Sequence, residues 1–329
     1  MKFYTRFAGR EKSVSTFERF SAQQSRKFTM SMNITENRQR TTGYPESPLP
    51  NAKVRMNKFQ RTSTIIWRSL ALPLVLFITI PVVALFARTP LSTILENLNR
   101  AQMIQAISLS LITSTATTAA TLIFGTPVAI LLTHRNLRFN RLLDTLVDLP
   151  TVLPPSVAGI ALLMAFGRKG LLGSFFAALN ISIPFTMIAV ILAQTFVASP
   201  LYIRAATIGF SAVDNELKQA AAIDGAKRWQ ILRYITVPIA WSSILSGAVM
   251  TWARALGEFG ATIIFAGNYP GRTQTMPLAI YIGFEINLDV ALTLSVILVC
   301  LSFLTLIIVK GFLHRRLEYD TGSRTETTF

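Results

Sequence analysis

Six stretches of this chain are each long and apolar enough to cross a lipid bilayer, and the loops that separate them are alternately poor and rich in Lys and Arg. A crossing needs about 20 mainly apolar residues at the rise of an α-helix. The stretches run near Ser69–Ala87, Ile107–Leu132, Leu149–Gly167, Pro184–Ile203, Tyr234–Ala253 and Val290–Val309. Composition agrees: 51% of residues are hydrophobic and only 15% charged, with a mean hydropathy of +0.46, more apolar than a soluble core requires. The expected fold is an all-α integral membrane protein with six transmembrane helices. The residues divide into a basic extension over 1–62, a six-span domain over 63–316 and a polar tail over 317–329.

Charge sets the orientation and excludes other classes. The chain carries a formal +16, but residues 1–61 hold 13 Lys or Arg against 4 Asp or Glu, and most other basic residues flank the apolar stretches. That distribution describes membrane anchoring, not nucleic-acid binding. Arg135, Arg138 and Arg141 follow the second stretch, Arg204, Lys218, Lys227, Arg228 and Arg233 the fourth, and Lys310, Arg315 and Arg316 the sixth. Loops on the other side are poorer in Lys and Arg, so both termini and the loop after the fourth stretch are expected in the cytoplasm. The lone cysteine, Cys300, excludes an internal disulfide and a thiolate metal site.

The loop after the fourth stretch reads as a helical hairpin. Asp214 suits the N-cap of a short helix ending near Ile223, and Glu216 in its first turn complements the helix dipole. Gly225 can adopt the positive φ that stops the helix. A second helix then leads through Lys227, Trp229, Ile231, Leu232 and Tyr234 to Pro238. Ala220, Ala221, Ala222 and Ala226 leave a flat face that another protein can approach closely.

Here the chain resembles the permease subunits of ABC importers, whose Glu-Ala-Ala, three residues, Gly, nine residues, Ile, one residue, Leu-Pro pattern matches at Gly225, Ile235 and Pro238. Gln219 stands for the family's Glu, which removes a charge from the contact, and Val237 for its Leu. The resemblance implies a type I importer permease fold with a cytoplasmic coupling-helix loop. Glu216, Gln219, Ala220, Ala221, Asp224, Gly225, Ala226 and Pro238 would then form the loop that couples to an ATPase. The stretches Gly257-Glu258-Phe259-Gly260-Ala261-Thr262 and Pro270-Gly271-Arg272-Thr273-Gln274-Thr275, with Leu149-Pro150, Pro154-Pro155 and Gly159 upstream, resemble the molybdate and tungstate branch. Sulfate and thiosulfate permeases are the nearest competitors.

The resemblance implies a homodimer served by two copies of a cytoplasmic ATPase and by one extracytoplasmic oxyanion-binding protein, in a bacterial inner membrane. No Gly-x-x-x-x-Gly-Lys-Ser/Thr loop is present. ATP and Mg are therefore expected on the partner, with no cofactor and no metal on this chain. An ion-coupled secondary transporter is the rival from another class; it predicts carboxylates within the spans or an inverted repeat, and the apolar stretches are almost free of Asp and Glu.

Several features keep two readings. The Ser and Thr face from Ser108 to Thr121 either packs helices closely or lines a polar route. Arg254 and Glu258, four apart near the end of the fifth stretch, either form a structural pair or gate an oxyanion, with Thr262 beside them. Pro150, Pro154 and Pro155 either start a helix or distort one beside a cavity. Arg272 is either a solvated loop charge or a contact for the binding protein. For residues 1–62, whose composition predicts disorder, the choices are a start site as late as Met56, a transit peptide that would send the chain to a plastid envelope, or a cytoplasmic tail.

Overall fold

The computed structural model describes the backbone of residues 52–133 and 138–325, with the side chains of residues 67–133, 140–308 and 311. Residues 1–51 of the expected basic extension lie outside the described residues. By internal contacts the chain divides into Met1–Val75 and Leu76–Phe329. Of the first unit, only the beginning of α1 (Ala52–Arg88) is described. That helix starts within the segment expected to be disordered, because the Ala, Lys, Arg, Met and Gln of residues 52–62 are good helix formers that continue the apolar run beyond them.

The described residues of the second unit form helices joined by turns and short loops, with no strand among them. After α2 (Leu91–Leu98), α3 spans Ala101–Thr133. The expected third span is not one straight helix. It is α4 (Arg138–Val152) followed by α5 (Pro155–Phe166), which meet at an angle of 118°. Pro154 and Pro155 cannot donate backbone hydrogen bonds, and each disfavours helical geometry in the residue before it, so the helix ends at Val152 and restarts at Pro155. Beyond α6 (Gly173–Ala178) come α7 (Met187–Ser211), α8 (Asn215–Ile223) and α9 (Arg228–Ile231). A π-turn over Leu232–Thr236 joins α9 to α10 (Val237–Leu256). Then follow α11 (Gly260–Phe265), α12 (Met276–Ile286) and α13 (Leu288–Thr325).

Among the described residues, five helices are long and apolar enough to cross a membrane: Trp67–Arg88, Ala101–Thr133, Met187–Ser211, Arg228–Leu256 and Leu288–Ile308. Counted as one broken span, α4 and α5 make the sixth. The fifth span starts earlier than its apolar stretch suggests, because α9 runs into it through the π-turn. The turn has a local cause. Pro238 has no N–H for the Tyr234 carbonyl and its ring crowds that oxygen; the chain widens instead, and the Val237 N–H donates to the Leu232 carbonyl five residues back.

The core lies where helices of the second unit cross. Ala158, Leu162, Ala193, Val197, Ala261 and Phe265 join α5, α7 and α11. Ala129, Tyr202, Ala206, Phe210, Ala240 and Ile244 join α3, α7 and α10. A third cluster, including Met103, Ala106, Leu256, Met276 and Leu294, joins α3 and α10 to α12 and α13. Small residues dominate because lipid tails provide no hydrophobic contrast, so close van der Waals packing does the holding. The hydroxyl face of α3 belongs to this packing: Ser110, Thr113, Ser114, Thr117 and Thr121 are buried. The Thr117 hydroxyl lies 3.0 Å from Gln194 Oε1 on α7, and Ser110 Oγ accepts the Met276 N–H at 2.7 Å.

Candidate functional site

The hairpin forms as its local chemistry requires. The Asp214 carboxylate caps α8 by accepting the Glu216 N–H at 2.9 Å, and the helix ends at Ile223. Gly225 has φ +85°. The Ala226 N–H donates to the Ala221 carbonyl at 2.9 Å and the Gly225 N–H to the Ala222 carbonyl at 3.1 Å. This pair of bonds is the Schellman motif, which satisfies carbonyls that the helix end leaves open. The Gln230 side chain reaches back to accept the Lys227 N–H at 2.7 Å, which closes the start of α9.

The predicted coupling residues are brought together on a presented surface. No residue of α8 is buried; Glu216, Gln219, Ala220, Asp224 and Gly225 are exposed, and Ala221 and Ala226 are half-exposed. Pro238 lies apart from them at the start of α10, where it shapes the π-turn. Ile223 is 86% exposed and Trp229 65%. The hairpin thus presents two large apolar side chains beside its small residues. A Cβ built on Gly225 meets no atom within 4 Å, so among the described residues only the positive φ calls for glycine there.

A second group of candidates converges on the elbow between α4 and α5. Arg254 Nη1 donates to Glu258 Oε2 at 2.7 Å. Although α10 ends at Leu256, the pair forms across the turn. Glu258 is only 2% exposed, and its Oε1 accepts the Ala261 N–H at 2.9 Å. The carboxylate thus has a cation on one side and the start of α11 on the other, which is how a buried charge is tolerated. Two residues further, Gly260 packs against the elbow: a Cβ there would stand 2.7 Å from Pro155 Cβ. Likewise a Cβ on Gly159 would stand 2.8 Å from the Ala261 carbonyl oxygen. Thr262 is buried, and its Oγ1 has no hydrogen-bond partner among the described residues. Pro154, Pro155, Glu258 and Thr262 therefore share one locality, with Arg254 reaching into it. Arg272 stands elsewhere, exposed on a turn in which its N–H donates to the Tyr269 carbonyl at 3.1 Å.

One constellation was not anticipated. Arg204 on α7 grips two carboxylates of α4: its Nε donates to Asp148 Oδ1 at 2.7 Å, its Nη1 to Asp144 Oδ1 at 2.5 Å, and its Nη2 to Asp148 Oδ2. A further bond runs from Nη2 to the Asp144 carbonyl at 3.1 Å. The planar guanidinium suits this double engagement in a way that a lysine ammonium cannot. The signal in the sequence was Asp144 and Asp148 four apart on a helix, opposite an arginine at the end of an apolar run.

Comparison with known proteins places this geometry. Residues 123–319 match the family model of the binding-protein-dependent transport system inner membrane component. The chain belongs to that family. Among relatives of this family member, the probable transport system permease protein NifC of Clostridium pasteurianum is 38% identical over 244 residues, 73% of this chain and 85% of that protein. The molybdenum transport system permease protein ModB of Mycobacterium bovis is 37% identical over 233 residues, 71% of this chain and 88% of that one. The molybdate/tungstate transport system permease protein WtpB of Thermococcus kodakarensis is 34% identical over 245 residues, 74% and 93%. The fold is also that of a chain from a bacterial ABC transporter involved in the import of the acidic polysaccharide alginate, with a TM-score of 0.60 at 16% identity, covering 79% of this chain and 99% of that one.

Proposed function

We propose that this chain is the permease subunit of an ATP-driven importer that moves molybdate or tungstate across the inner membrane by alternating access. The observation that carries the reading is the exposed α8–α9 hairpin between the fourth and fifth spans, closed at Gly225 and presenting Ile223 and Trp229. The cargo is supported by relatives whose names specify molybdenum, molybdate and tungstate. The chain is a multi-pass transport subunit and not itself an enzyme; ATP and Mg belong to a partner ATPase that receives the hairpin. Both termini and the hairpin face the cytoplasm. Two copies of the chain pair as a homodimer with two copies of the ATPase, and one extracytoplasmic binding protein delivers the oxyanion.

In this cycle ATP binding draws the two hairpins together, and the spans open outward to accept the anion. Hydrolysis lets them return inward. The residues around the elbow suit the moving part, because Gly260 and Gly159 let α11 and α5 touch backbone to backbone without interlocked side chains. Gln219 in place of a carboxylate keeps hydrogen bonding in the docking contact while removing its charge. Proteoliposomes given labelled molybdate, tungstate or sulfate on the outside test the reading, with and without ATPase and binding protein. Uptake of molybdate or tungstate that requires ATP supports it. Uptake of sulfate alone moves the chain to the sulfate and thiosulfate permeases, and uptake without any ATPase overturns the importer reading.

A further inference from the structure

Between the hairpin and the ends of the spans lies a cavity of about 1080 Å³. Its polar lining comes from Thr133 at the end of α3, Ser211 at the end of α7, Asn215 and Lys218 on α8, Arg228 on α9, and Thr236 in the π-turn. Asn215 and Lys218 are three apart, so one face of α8 turns both into the cavity. Neither Lys218 nor Arg228 has an ion pair among the described residues. The hairpin's own carboxylates do not compensate: Asp214, Glu216 and Asp224 are absent from the lining, and Asp214 is occupied as the cap of α8. Two cations thus share one concave space with hydroxyl and amide groups, and no anion lines it among the described residues.

That arrangement has a preferred occupant. Unneutralised cations facing one cavity raise its positive potential and concentrate anions there. The lysine contributes three donors and the arginine a fork that matches two oxygens at once, with hydroxyls and an amide around them. Donors arriving from several helices suit an anion with oxygens in every direction better than a flat carboxylate. We propose that this cavity binds a tetrahedral oxyanion, bridging Lys218 of α8 and Arg228 of α9 to the end of α7. The space is larger than a bare oxyanion needs, so the ligand is a hydrated free anion or the phosphate of a lipid headgroup. Occupancy holds the hairpin at a set angle to the spans, which gives the docking element a ligand-dependent stiffness. The proposal rests on the cavity and not on the identity of the cargo.

The test uses the full-length chain in phosphatidylcholine nanodiscs and measures backbone hydrogen exchange over residues 211–236. Molybdate and inorganic phosphate are added separately, with chloride at matched ionic strength as the blank, and a parallel sample replaces part of the phosphatidylcholine with phosphatidylglycerol. At ten times its Kd a bound anion slows exchange governed by hairpin opening by about tenfold. Slowing by the free anions assigns the site to a soluble oxyanion, and slowing only by phosphatidylglycerol assigns it to a headgroup. The Lys218→Gln/Arg228→Gln double variant should lose the effect, and the charge-conserving Lys218→Arg/Arg228→Lys variant should retain most of it. No slowing by any of these ligands, or slowing that persists in the double glutamine variant, overturns the proposal.

Discussion

Substitutions at Gly225 separate docking from folding because the two predict opposite rank orders. At φ +85° an ordinary L-residue costs roughly 1–2 kcal/mol. No overpacking adds to this, since a Cβ there meets nothing within 4 Å. Aspartate tolerates left-handed backbone better than alanine, so backbone strain alone makes Gly225→Ala the more harmful change. A docking surface reverses the order. A charged side chain forced unpaired into the centre of an interface costs about 2 kcal/mol or more, roughly a thirtyfold fall in affinity. On the purified chain the backbone strain should lower the thermal midpoint by only about a few degrees, more for Gly225→Ala than for Gly225→Asp. Co-purification of the ATPase and ATP-dependent uptake are the assays, and Gly225→Asp should lose both while Gly225→Ala keeps most of each. Normal uptake by Gly225→Asp, or a larger defect in Gly225→Ala, would refute the assignment of this turn to docking.

Two further outcomes follow from the packing. Arg254→Met leaves the Glu258 carboxylate buried without its cation; losses for such pairs run about 3–5 kcal/mol, reduced here because the Arg254 side chain is 36% exposed. Glu258→Gln should cost less, since it keeps an acceptor for the Ala261 N–H, and the Arg254→Met/Glu258→Gln pair should unfold at a higher temperature than Arg254→Met alone. At the crossing of α7 and α10, a Cβ on Gly209 would stand 2.5 Å from Ser243 Cβ. Gly209→Ala should therefore destabilise by about 1–3 kcal/mol, and Ser243→Gly should restore the melting temperature.

What could be read from the sequence is what neighbouring residues decide. Asp214, Ile223 and Gly225 define the cap, end and turn of α8 within a dozen positions, and each stands where local rules put it. The six apolar stretches were legible for the same reason, since length and composition are properties of a single segment. The third span was not. Its prolines fitted a helix start as well as an elbow, and the contacts that complete the elbow come from Gly260, far along the chain. The Arg204 clasp was hidden for a related reason. Arg204 counted equally well as one more cytoplasmic charge until the fold brought it to Asp144 and Asp148. Short α2, α6 and α12 lie in segments too brief to show against the spans.

The clasp matters because it completes a circuit. The hairpin begins three residues beyond the end of α7, and Arg204 of α7 holds α4 through Asp144 and Asp148. Across the elbow, α5 touches Gly260 at Pro155. Two residues earlier, Glu258 is fastened to Arg254 of α10, and α10 leads back through the π-turn to α9. Packed elements in contact transmit displacement only if each joint has two stable arrangements, so contact alone does not establish coupling. The clasp is the joint where this can be tested, because its hydrogen bonds can be removed without opening the core: Asp144 and Asp148 are about half exposed and stay solvated when released. Arg204→Gln should cost roughly 1–3 kcal/mol in stability, as expected for a charge-assisted hydrogen bond. If the elbow is driven through this joint, importers assembled with the variant should turn over ATP on the partner ATPase at close to the normal rate while importing less anion per ATP. Adding Asp144→Asn and Asp148→Asn removes the repulsion between two carboxylates four apart on α4, which should recover a small part of the stability but not the import ratio. An unchanged ratio of uptake to hydrolysis in Arg204→Gln would mean that the clasp only braces the fold, and that the hairpin moves the elbow through α10 alone.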